Sequence, residues 1–372
     1  MMTRSMNLMM AASTAGLLGF YLLFSAVPLY ATTGGAGGLG AGSVTGAMML
    51  ATVAAELAVP WLLSRLGYRA VMGLGLALLG LPALLLPLSA ALGWVVAISV
   101  VRGAGLGVLV VTGTALTAEL IPAERRGEGL GLYGVAVGVP SVLGLPLGLW
   151  ASDALGHASV FVVAGLVPLA GLPAVLGLPA TRPVRAVGSR ERGQGTGEVT
   201  RLAVVFAAVT TATGVMVTFL PLAGSPELAS VALLTQSLAT PAARWLAGRH
   251  GDRHGSAGLL KPGLLACAAG IGLQFWTGGP VAVVAGMALF GAGFGVLQNA
   301  TLALMFERGE ASRVSALWNL AFDAGMGVGA MGFGLVLGHT GYPVGFALVA
   351  VLMAVTLPLT RLRTAAYAPL PR

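Results

Sequence analysis

Charge is what this chain has least of: only 9% of its 372 residues are Asp, Glu, Lys or Arg, against about 25% in soluble domains. With 57% hydrophobic residues and a mean hydropathy of +0.92, that scarcity excludes a water-soluble fold. Cys267 is the one cysteine, so no internal disulfide and no cysteine-built metal site is available. Lys261 is the one lysine, and no G-x-x-x-x-G-K-[ST] run surrounds it. The phosphate-cradling loop of nucleotide-driven pumps is therefore missing. His157, His250, His254 and His339 fall in loops between apolar segments without ligand spacing, so no metal and no cofactor is expected. No cluster of His, Asp or Glu of the kind an enzyme would place at a membrane face stands out either.

What is present is apolar sequence of membrane-crossing length. Segments follow at about 8–30, 41–63, 70–88, 93–118, 129–150, 158–180, 201–222, 228–248, 259–277, 281–306, 314–338 and 343–360. Each reaches the roughly 20 residues that a helix needs to cross a bilayer. The expectation is an all-α polytopic membrane protein of twelve transmembrane helices in two six-helix bundles. The first apolar segment exceeds a signal h-region and runs into further spans, so no cleaved leader is expected. Pro82, Pro87, Pro140, Pro146 and Pro173 are read as kinks, since bilayer helices tolerate proline where neighbours re-satisfy the backbone.

The net charge of +8 is unevenly placed. Nineteen of the twenty basic residues lie on one set of alternate loops or their edges, and the other set has none. The positive-inside rule then makes the arginine-bearing face cytoplasmic. It also removes nucleic acid as the explanation of the basic balance. Both termini and the polar stretch 181–200 fall on that face.

An internal duplication is visible. Arg102-Gly103-Ala104-Gly105-Leu106-Gly107-Val108-Leu109 returns as Gly291-Ala292-Gly293-Phe294-Gly295-Val296-Leu297, a shift of 188 residues. The same shift carries Arg65 onto Arg253, Gly67 onto Gly255, Glu119 onto Glu307 and Arg125 onto Arg313. Rare charges repeated in register mark a repeat, where low complexity alone would repeat only glycines. Arg102 is the exception, with Phe290 as its counterpart. The division expected is 1–180 for the first bundle, 181–200 for a flexible linker and 201–372 for the second bundle with a short tail. Six helices precede the linker, so both halves share one orientation, a parallel repeat as found in carriers.

On these features the chain resembles the major facilitator superfamily over essentially its whole length. Gly248-Arg249-His250-Gly251-Asp252-Arg253-His254-Gly255 fits the superfamily's G-x-x-x-D-R-x-G signature. The first-half counterpart keeps Arg65, Gly67 and Arg69 but has Pro60 for the glycine and Ser64 for the aspartate. Arg102 with its alternating glycines resembles the fourth-helix motif associated with proton coupling. Gly134-x-x-x-Gly138-Val139-Pro140, continuing to Gly144, resembles the fifth-helix motif of exporters, the drug-proton antiporter type. The resemblance implies alternating access and a cytoplasmic gate of salt bridges, here Arg65, Glu119, Arg126, Asp252, Arg253, Glu307 and Arg313. It also marks Gly134, Gly138, Pro140 and Gly144 as a hinge.

Glu56, Arg102 and Asp323 lie well inside predicted spans, where a charge costs roughly 2.5–3.5 kcal/mol even on a permissive scale. They are the candidate proton-coupling residues, with a static buried pair as the alternative. Tyr21, Gln236, Gln298, Asn299, Trp318 and Asn319 are the polar residues placed to line a substrate cavity. Each alone also fits an interhelical hydrogen bond or an interface anchor. The reading is a proton-coupled exporter of small amphipathic molecules, not an enzyme. Its expected partners are a small-molecule substrate, a proton gradient and the lipid bilayer of a bacterial cytoplasmic membrane, with no nucleic acid and a monomeric chain. An uptake carrier or uniporter for sugars or other metabolites is the rival within the fold. A membrane receptor or scaffold is the rival outside it.

Overall fold

The computed structural model describes residues 4–120, 126–182, 196–308 and 311–361, and at 118, 126–137, 196, 252, 311–313 and 315 the backbone alone. Among the described residues there are helices and no strands. That is what a lipid solvent demands, because a helix satisfies its backbone groups within its own segment.

The first half holds α1 (Arg4–Phe24), α2 (Ala26–Thr33), α3 (Gly37–Ala83), α4 (Leu92–Leu120), α5 (Arg126–Leu155), α6 (His157–Ala170) and α7 (Leu172–Leu176). The second holds α8 (Thr196–Ala223), α9 (Pro226–His254), α10 (Leu260–Gly272), α11 (Pro280–Phe306) and α12 (Ala311–Val355). Among the described residues, eight runs are long and apolar enough to cross a membrane. Two of them, Gly37–Leu88 with 52 residues and Ala316–Thr360 with 45, are double length. Each is broken by a glycine in the left-handed region, Gly67 at φ 79° and Gly341 at φ 71°. α5 and α9 have crossing length, 30 and 29 residues, although neither is among the eight.

α3 turns back at Gly67, and its packing shows it. A side chain at Gly103 or Gly107 of α4 would strike Met48 or Thr52 in the first arm of α3, and one at Gly105 would strike Leu78 in the second. The two arms thus flank α4 at one depth. The alternation of glycines now has a cause: Gly103 and Gly107 face one neighbour, Gly105 the other. Lipid gives no hydrophobic drive between helices, so close contact rests on such small faces.

The second half repeats the arrangement residue for residue. Gly291 and Gly295 of α11 abut Gln236 and Thr240 of α9, while Gly293 abuts Gly263 and Cys267 of α10. The hydrogen bonds repeat too. Thr52 donates to the carbonyl of Gly103 at 3.0 Å, and Thr240 donates to that of Gly291 at 3.1 Å.

Three local expectations are corrected. α9 continues to His254, so His250 and His254 lie on helix rather than in a loop. Likewise His157 opens α6 and His339 lies within α12. Pro82, Pro140 and Pro146 do sit inside helices, but Pro87 lies in a 3-10 turn beyond α3, and Pro173 starts the separate short helix α7.

Candidate transport site

The halves meet along two seams, α3 with α12 and α5 with α9. On α3, Gly38, Gly42 and Gly46 lie against Leu337, Ala330 and Met331 of α12. Beside them Thr45 and Thr218 of α8 share a buried hydrogen bond of 2.9 Å. On the other seam the carboxyls of Asp153 and Glu227 are within hydrogen-bonding reach. These contacts belong to the face opposite the arginines. The first seam ends at Glu56 and Asp323, whose carboxyls stand within hydrogen-bonding reach of one another across the halves. Leu57, the next residue, and Trp61, five residues beyond Glu56, are 78% and 61% exposed.

Glu56 is held from behind by the glycine string, since Gly107 leaves just the room that its side chain fills. Asp323 is 9% exposed, and the phenol of Tyr21 on α1 stands close enough to feel its charge. Behind Tyr21, Gly144 of α5 lets the two backbones approach. Two carboxyls and a phenol, drawn from both halves, therefore converge at the inner end of the closed seam.

Arg102 does not join them. It is 1% exposed, its Nη2 donates to the carbonyl of Gly19 at 3.3 Å, and its Nε has no hydrogen-bond partner. Among the described residues no carboxylate pairs with it, the salt bridges there being those of Arg308.

The remaining polar residues divide by place. Trp318 donates from Nε1 to Thr301 Oγ1 at 3.3 Å and stacks on Phe206, ring centroids 4.5 Å apart at 17°. Phe294 and Phe322 extend that aromatic wall next to Asp323. Asn319 is half-buried one turn before Asp323. Gln236 and Asn299 belong to the packing of α9 on α11, against Gly291 and Gly248, and Gln298 is buried on α11. Of the six, Tyr21 is the one brought to the carboxyl pair.

At the arginine-rich face, Arg65 lies over the Trp61 ring at 5.9 Å and Arg253 is exposed. The Glu119 carboxyl stands close to the Tyr68 phenol, a neighbour that the sequence reading missed. The 188-residue repeat could not have shown it, because Ser256 stands at the corresponding place. Glu307 accepts from Arg308 at 3.0 Å, and Arg308 also bonds Glu198 at 2.8 Å. The side chains of Arg126, Asp252 and Arg313 lie outside the described residues. So does the setting of Gly134. Gly138 has open space where a Cβ would be, Pro140 is buried, and α5 runs unbroken through both prolines.

A family profile described as Major Facilitator Superfamily matches residues 9–307. The chain belongs to the major facilitator superfamily. Its long apolar helices agree with the multi-pass membrane architecture of that family. An uncharacterized MFS-type transporter of Mycobacterium tuberculosis is 28% identical over 264 residues, 67% of this chain and 34% of the relative. A second from that organism is 32% identical over 120 residues, 32% of this chain and 21% of the relative. The match with the first thus spans about a third of that relative's length. Among solved structures, a POT family transporter in complex with a thioalcohol-conjugated peptide superposes with a TM-score of 0.78 at 13% identity, covering 96% and 95% of the two chains. A bacterial homologue of the human lysosomal transporter Spinster, inward-facing and occupied, gives 0.76 at 14%, covering 95% of each. At such identities the likeness is one of fold.

Proposed function

We propose that this transporter couples export of small amphipathic molecules to protons, by alternating access between halves 1–180 and 201–372 joined by the linker 181–200. The observation that carries the reading is the Glu56–Asp323 contact. A hydrogen bond between two carboxyl groups needs a proton on one of them. Without it, two carboxylates would repel across the seam. Proton occupancy is thereby tied to whether the halves are together at this point, which is the free-energy link that coupling requires.

The positive-inside rule makes the arginine-rich face cytoplasmic, with both termini on that side of a bacterial cytoplasmic membrane. On that reading the structure is closed outward and open inward. The twelve crossings then follow from the eight apolar runs, the two fold-backs and the lengths of α5 and α9. The aromatic wall of Phe206, Trp318 and Phe322 beside Asp323 and Tyr21 offers an apolar surface with few polar groups, as binding sites for amphipathic molecules have. Arg102 remains the buried cation of the first half, acting apart from the carboxyl pair in this conformation.

The test uses proteoliposomes and a panel of amphipathic compounds chosen by thermal shift. Flux should follow an imposed pH gradient and lose that dependence in Asp323→Asn. Flux that follows only the compound's own gradient in the unaltered protein would replace this reading by the uniporter one.

A further inference from the structure

His250 and His254 are four apart on the last turn of α9, and both side chains are exposed. Their imidazole rings face one another, centroids 4.6 Å apart and 28° between planes. Two histidines at this spacing on a helix are neighbours on one face, the pairing that divalent zinc takes in helical H-x-x-x-H sites. Bringing one ring nitrogen of each to ~2.0–2.1 Å from a shared ion asks for side-chain rotation, with no backbone movement.

We propose that His250 and His254 form a two-point site for a late first-row divalent cation, copper(II), nickel(II) or zinc(II), at the end of α9. Neutral imidazole suits these ions, and copper(II) should bind tightest by the general affinity order. Among the described residues no third His, Cys, Asp or Glu completes a cluster, and a site of two imidazoles binds reversibly. Arg253 lies between the two ligands in sequence, and Gly255 ends the helix with φ 82°. A bound ion clamps that final turn in helical form, and Arg253 with it. The site is independent of the coupling pair and of the transported molecule.

The experiment titrates copper(II), nickel(II) and zinc(II) into the purified full chain without a polyhistidine tag. Heat of binding gives stoichiometry, and copper(II) electron paramagnetic resonance counts nitrogen ligands. One saturable copper(II) with two imidazole nitrogens is expected. Loss of either ligand, in His250→Ala or His254→Ala, should weaken binding at least as much as the ~10–100-fold that losing an outer-shell partner costs. Both side chains are exposed, so alanine leaves the core intact, and a size-exclusion profile checks this. His157→Ala with His339→Ala should leave binding unchanged. No saturable binding, or binding that survives in His250→Ala and His254→Ala, would overturn the proposal.

Discussion

Glu56 of the first half and Asp323 of the second meet carboxyl to carboxyl, at the point where the seam between the halves gives way to exposed residues. If the proton they share drives the cycle, Glu56→Gln and Asp323→Asn should each abolish transport driven by a pH gradient, while substrate exchange at equal pH continues. An amide still donates a hydrogen bond across the seam but cannot release a proton. Full gradient-driven transport in both variants would remove the coupling pair.

The Thr45–Thr218 hydrogen bond joins the halves closer to the arginine-poor face. Their oxygens are 2.9 Å apart, so Thr45→Cys with Thr218→Cys brings two thiols within disulfide range. Cys267 is buried on α10 and does not compete. Oxidation should stop transport by holding this conformation, and a reductant should restore it. Transport that continues in the cross-linked protein would mean that this seam does not open.

Much of the architecture was legible because the 188-residue repeat is carried by rare residues. Gly103 and Gly291, Thr52 and Thr240, Gly67 and Gly255 occupy matching places. Partner choice was not legible. Helices apolar on all sides carry no periodic signal of the face each turns to its neighbours. Hence Arg102 was set with the carboxyls, where the structure gives it the Gly19 carbonyl, and Tyr68 was passed over as the partner of Glu119. The histidines at 250 and 254 were missed for another reason. A Gly-rich, charged stretch reads as loop, and only a helix running on to His254 makes them neighbours.

The repeat predicts paired packing effects. Gly107→Val would drive a side chain into the Thr52 carbonyl, and Gly295→Val into that of Thr240. Overpacking against backbone costs about 1–3 kcal/mol, so both variants should lower the thermal midpoint in detergent by a similar amount. Gly138→Ala, where a Cβ meets nothing within 4 Å, should leave it unchanged. A large loss at Gly138 with none at Gly107 would contradict the packing described.

Orientation can be read with an impermeant thiol reagent on intact cells. A cysteine at Gly37, on the arginine-poor face, should label from outside, and one at Ser189 only after the membrane is breached. The reverse pattern would invert the topology.

The gate makes predictions of opposite sign. In this conformation Glu119 stands beside the Tyr68 phenol and Glu307 accepts a hydrogen bond from Arg308, while Arg65 and Arg253 are exposed. If Arg65 and Arg253 pair with the acidic residues only when the arginine-rich face closes, the two kinds of contact stabilise different states. Glu307→Gln removes the closed-state partner, while Arg308, which loses Glu307 in this conformation, keeps Glu198 at 2.8 Å, so the population should shift toward the open state. Tyr68→Phe keeps a ring in a position that is 3% exposed but removes the hydroxyl that stands beside Glu119 in this conformation. It should shift the population toward closure. Exposed ion pairs contribute about 0–1 kcal/mol each, so each shift is at most about fivefold. A cysteine at Asn319, one turn from Asp323, reports it through its rate of alkylation: faster in Glu307→Gln, slower in Tyr68→Phe. Equal rates in both variants and the parent would show that these charges are solvated and do not gate.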